Sequence, residues 1–120
     1  MLSETGLERV KIIRKKIGFI DEIIQEKGSI QRALEDERSA RAAILMHLIS
    51  IAEQFDRLLH DSELEILAFF DKRDIKGSYD LRNFIAHEYE GVDLFIVEEV
   101  IRTRLPIIKD SAEKILLQPE

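Results

Sequence analysis

Apolar residues recur along nearly the whole chain at intervals of three and four, and that spacing restricts the fold more than any other feature of the sequence. Val10, Ile13, Ile17, Ile20 and Ile24 form a first stripe, widened by Ile12, Phe19 and Ile23. At 3.6 residues per turn these positions share one helix face. Gly28-Ser29 closes the pattern, because glycine readily takes the left-handed conformation that ends helices. A second stripe, Ile44, Leu48, Ile51, Phe55 and Leu58, predicts a long helix that begins near Ile30 or Asp36 and runs to Leu59. His47 lies beside it, which predicts a histidine packed at a helix–helix contact. His60 is expected in a loop, since Ser62 and Glu65 have the spacing of a capping box for the next helix.

"SELEILAFF" reads as a short apolar helix, "DKRDIKG" as a polar connection and "SYDLRNFIAHEY" as a further helix. In "EGVD", Gly91 can terminate that helix and Asp93 can cap the following one. Leu94, Val97, Ile101, Leu105, Ile108, Ala112 and Ile115 make the final stripe, with Pro106 inside it. Proline has no N–H to donate and crowds the carbonyl four residues earlier, which predicts a kink near Arg102. No alternating, β-branched run appears, so no sheet is expected. The reading is an all-α, antiparallel bundle of four or five helices, with residues 1–120 forming one domain.

Composition narrows the chemistry. There is no Cys, which excludes disulfides, a thiol nucleophile and cysteine-based zinc sites. His47, His60 and His87 lack the short spacings of common metal motifs, so neither a metal nor another cofactor is expected. The longest uncharged stretch, "AAILMHLISIA" at 42–52, falls short of the roughly 20 residues that cross a bilayer. The N-terminus lacks the basic-then-apolar pattern of a signal, so no membrane association and a cytoplasmic location are expected. Net charge is −6, with ten acids and ten bases in residues 1–60 but fourteen acids and eight bases in 61–120. Non-specific polyanion binders are normally basic, so contact with nucleic acid must be local or created where two subunits meet.

"LRNFIAHEY", residues 81–89, concentrates the polar chemistry. Asn83 and His87 are four apart and neighbours on one helix face. Arg82 and His87 are five apart, about 140° around the axis, while Arg82, Ala86 and Tyr89 form an adjoining row. Imidazole exchanges a proton near neutral pH, and guanidinium presents a fork of donors matched to phosphate oxygens. Together they suit RNA cleavage without a metal. The histidine takes the ribose 2′-hydroxyl proton or protonates the leaving 5′-oxygen, and the arginine stabilises the phosphorane. One histidine cannot readily serve both sides, whereas a two-fold dimer supplies a second pair across a shared cleft. The plain alternative is an ordinary helix edge whose Arg and His cap the helix, pair with Asp80, Glu88 or Glu90, or sit in water.

"LRNFIAHEYEGVDLFIVEEVIRTRLP" resembles the signature stretch of the HepT-like branch of the HEPN superfamily. The family pattern R-N-x-x-x-H-x-Y, a short turn, V-D-L-x-I-V and a later L-P is matched by Arg82, Asn83, His87, Tyr89, Val92, Asp93, Leu94, Ile96, Val97, Leu105 and Pro106. "MHLISIAEQFDRL", with Glu53, is similar to the family's second helix. The resemblance implies a HEPN-like, dimeric, metal-independent endoribonuclease toxin with Arg82 and His87 catalytic and Asn83 supporting. It implies RNA as substrate and, as antitoxin, a nucleotidyltransferase of the MNT type that transfers AMP to Tyr89. A non-catalytic helical subunit that docks on a nucleotidyltransferase is the alternative.

Overall fold

The computed structural model describes residues 2–119, and among these there are helices and turns but no strand. The elements are α1 (Glu4–Lys27), α2 (Ile30–Glu35), α3 (Ala40–His60), α4 (Leu64–Leu67), α5 (Lys72–His87), a 3₁₀ turn (Tyr89–Gly91), α6 (Leu94–Glu99), a π-turn (Val100–Arg104) and α7 (Leu105–Leu116). Four long bodies dominate: α1, α3, α5 and the continuous α6–π–α7 rod. Helix α1 packs on α3 and α7, and α3 packs on α5. The bundle expected from the apolar spacing is the architecture observed.

Helix α1 starts where the Ser3 hydroxyl accepts the Gly6 N–H and stops where Gly28, at φ 97°, donates its N–H to the Ile24 carbonyl. Its stripe of Val10, Ile13, Ile17 and Ile20 is buried against Ile44, Leu45, Ile51, Phe55 and Leu58 of the α3 region and against Ile108, Ala112 and Ile115 of α7. Each such aliphatic side chain contributes about 1.5–3 kcal/mol when removed from water, so this three-helix seam carries most of the fold. Phe55 meets Phe70 edge-on at 4.9 Å, which ties the segment after α4 to the core.

Four local readings are corrected. The helix expected from Ile30 or Asp36 onward is broken, and α3 begins only at Ala40. The Asp36 carboxylate accepts the Ala40 N–H at 3.2 Å and pairs with Lys27 at 2.8 Å, so it caps the new helix from outside. The Lys27 contact and then the Ala40 N–H hold Asp36 below the usual carboxylate range. Ser62 does not cap α4: it sits at φ 55°, and no side chain caps that one-turn helix. His60, expected in a loop, is the last residue of α3.

The fourth correction concerns "DKRDIKG", which is the beginning of α5 and not a connection. Asp71 caps it by accepting the Arg73 N–H at 2.8 Å, and the Arg73 side chain lowers the Asp71 carboxyl to about 2. What this turn of helix buries is a charge. Asp74, its side chain 4% exposed, accepts from Arg104 Nε at 2.6 Å and from a second guanidinium nitrogen at 2.8 Å. An apolar-stripe search cannot see a helix docked through a bidentate ion pair.

Where a kink was expected near Arg102, the structure has a π-turn before Pro106. The helix widens into the π-turn immediately before it, with Leu105 N–H reaching back to the Val100 carbonyl. Widening the turn relieves the clash between the proline ring and the Arg102 carbonyl. The same turn delivers Arg104 to Asp74.

Candidate functional site

Helix α5 carries the motif on its C-terminal half. Leu81 and Ile85, four apart, are buried and fix the helix on α3. That leaves Arg82 and Asn83 half-buried at the edge and His87 exposed as the last helical residue. Glu88 ends the helix by donating its N–H to the Phe84 carbonyl. Tyr89 therefore belongs to the 3₁₀ turn and not to the α-helical row with Arg82 and Ala86; it is 43% exposed. Gly91 closes that turn, and Asp93 caps α6 as expected, accepting the Phe95 N–H at 3.0 Å.

Among the described residues, neither Arg82 nor His87 takes part in an ion pair or a side-chain hydrogen bond. Asp80, the nearest candidate partner in sequence, is instead held by Lys76 at 2.9 Å. No side-chain hydrogen bond joins Asn83 to His87. By contrast Arg73, Arg102 and Arg104 are all engaged by carboxylates. Of the plain readings of "LRNFIAHEY", a helix edge held by ion pairs is not what the structure has, and a solvated edge leaves the two central charges as open as a site would.

Arg82 opens into a polar cleft of about 670 Å³ between α5, α3 and α1. Three guanidinium groups line it: Arg82, Arg57 near the end of α3 and Arg9 of α1. Glu53, Asp56 and Asp61 face it as well, with His60. Among the described residues, Arg9 alone of the three forms an ion pair, with Asp61 at 3.7 Å. His87 does not line this cleft, so the structure places Arg82 inside it and His87 on the exposed end of the same helix. Reasoning from sequence missed Arg57. A signal was present, since Glu53, Arg57 and His60 stand at i, i+4 and i+7 and share one face of α3.

A second cavity, about 220 Å³ and mainly apolar, lies beneath the Asp74–Arg104 pair between α3, α5 and the π-turn; Leu81 lines it, but Arg82, Asn83, His87 and Tyr89 do not. His47 is a packed histidine, as expected. Its ring lies 5.3 Å from Phe19, tilted by 46°, and burial, then the Lys16 ammonium, pushes its pKa below the ordinary value. Among the described residues no group of three or more His, Asp or Glu is arranged to hold a metal ion, and no helix is long and apolar enough to cross a membrane.

The family model described as "Ribonuclease HepT-like" matches residues 13–115, a span that holds every residue of the motif. No curated protein and no solved structure matches the chain.

Proposed function

Because the chain belongs to the ribonuclease HepT-like family, we propose that it is a metal-independent endoribonuclease toxin with Arg82 and His87 as its catalytic pair. The observation that carries this reading is the unpaired state of both side chains. A guanidinium open to a cleft and an imidazole at an exposed helix end are free to meet a phosphodiester and its 2′-hydroxyl. His87 takes the 2′-hydroxyl proton, the 2′-oxygen attacks phosphorus, and the bond to the 5′-oxygen breaks as that oxygen gains a proton. Arg82 neutralises the charge that builds on the phosphorane. The products are a 2′,3′-cyclic phosphate and a 5′-hydroxyl. Acid and base stand on opposite sides of phosphorus, so a homodimer supplies the second His87 and Arg82. Asn83, half-buried one turn before His87, supports the site.

Tyr89 is the point of control in this reading. Its hydroxyl attacks the α-phosphorus of ATP held by an MNT-type nucleotidyltransferase antitoxin, pyrophosphate leaves, and the phenolic proton passes to solvent. The 3₁₀ turn presents the ring to such a partner, and the added phosphate sets negative charge two residues from His87. RNA is then repelled. A cytoplasmic setting follows from both substrates.

One observation favours a second reading, a non-catalytic subunit that docks on a nucleotidyltransferase. The Arg82 cleft holds as many carboxylates as guanidiniums, which weakens its pull on RNA. Expression in a bacterial host separates the two. The toxin reading expects growth to stop with the wild-type chain and to continue with His87→Ala. Harmless expression of both, with the chain recovered only in complex with a nucleotidyltransferase, supports the second reading and contradicts the first.

A further inference from the structure

We propose that Arg57 is a substrate-binding residue, holding an RNA phosphate next to the one Arg82 holds. The inference rests on the reading of the chain as an RNA-cleaving protein and adds a contact to it. Arg57 and Arg82 come from different helices, α3 and α5, yet face one cleft. Among the described residues both lack an ion pair and a side-chain hydrogen bond, although Glu53, Asp56 and Asp61 line the same space. Two free guanidiniums facing one polar opening suit two successive phosphates of a strand.

Position on the helix does not account for this by itself. Arg57 lies in the last turn of α3, where the helix dipole favours any cation. That explains a basic residue there and not its sharing a cleft with Arg82. The three carboxylates cancel the three guanidiniums in the cleft's far field, so the pull on a polyanion is short-ranged. Binding therefore depends on direct donor–oxygen contacts, which single out a strand threaded through the cleft from RNA merely near the surface.

The test uses the full chain with His87→Ala, so that binding is read without cleavage. Affinity for a mixed-sequence single-stranded RNA is measured across a salt series, with and without Arg57→Gln. Loss of one charge-assisted contact is expected to weaken binding about tenfold to a hundredfold. It is also expected to flatten the log–log salt slope by about 0.7, the share of one single-strand phosphate. Arg38→Gln removes the same charge from an exposed turn at the other end of α3, about 25 Å away along the helix, and is expected to leave both quantities nearly unchanged. Unchanged affinity and slope with Arg57→Gln, equal losses with Arg38→Gln, or no RNA binding by the His87→Ala chain overturns the assignment. A wild-type chain that binds RNA through Arg57 but never cuts it defeats the nuclease reading and leaves the Arg57 contact standing. A wild-type chain that cuts RNA while Arg57→Gln binds normally does the reverse.

Discussion

At the scale of single residues the site is defined by what its side chains do not touch. His87 is exposed, ends its helix and has no partner among the described residues. Replacing it removes no packing, and a surface change of this kind normally alters stability by no more than about 0.5 kcal/mol. His87→Ala is therefore expected to melt with the wild type while losing RNA cleavage; a fall in Tm of many degrees would mark a structural histidine. Tyr89→Phe deletes the phenolic oxygen proposed to accept AMP and leaves the ring in place. It is expected to remain active and to stay unmodified in the presence of the partner and ATP. Silencing that persists in this variant would show that the partner blocks the cleft physically instead.

At the scale of elements, the structure separates what apolar spacing can announce from what it cannot. Gly6 is a case where packing is tight. A Cβ there would run into the Glu63 carboxylate and the buried Ile66 side chain, where α1 meets α4. Gly6→Ala is expected to cost about 1–3 kcal/mol in a denaturation experiment, despite the better helix propensity of alanine. A neutral or stabilising result would mean that the α4 turn yields. Helices α1 and α3 and the final rod were legible because each buries a stripe of Val, Ile and Leu. The first two turns of α5 were not legible, because they dock through Asp74 and Arg104, thirty positions apart. Asp74→Ala removes the buried half of that pair. Arg104 is partly exposed and keeps Asp71 at 3.6 Å, so the expected loss is moderate, about 1–3 kcal/mol. A double-mutant cycle with Arg104→Ala reads the coupling. The motif residues were legible as a spacing, but their openness was not: Arg57 and Arg9 join Arg82 only through tertiary packing.

At the scale of the whole molecule, charge and assembly bear on the proposed cleavage of RNA. Burial of His47 between α1 and α3 lowers its folded pKa below the ordinary value near 6.5. The unfolded chain then binds the proton first, so stability falls as pH drops below about 6.5 and levels off under the folded pKa. His47→Gln is expected to lose less Tm than the wild type between neutral pH and pH 5.5; equal losses would remove His47 as the cause. Assembly bears on catalysis directly. One chain offers one Arg82 and one His87, on different aspects of α5, whereas phosphodiester cleavage needs a base and an acid on opposite sides of phosphorus. Whether these two side chains cut RNA is read in a cleavage assay run in excess EDTA. The wild-type chain is expected to yield 2′,3′-cyclic phosphate ends, and Arg82→Ala and His87→Ala, folded as judged by unchanged melting, are expected to yield none. Cleavage that stops with EDTA, or that survives either substitution, would contradict that expectation.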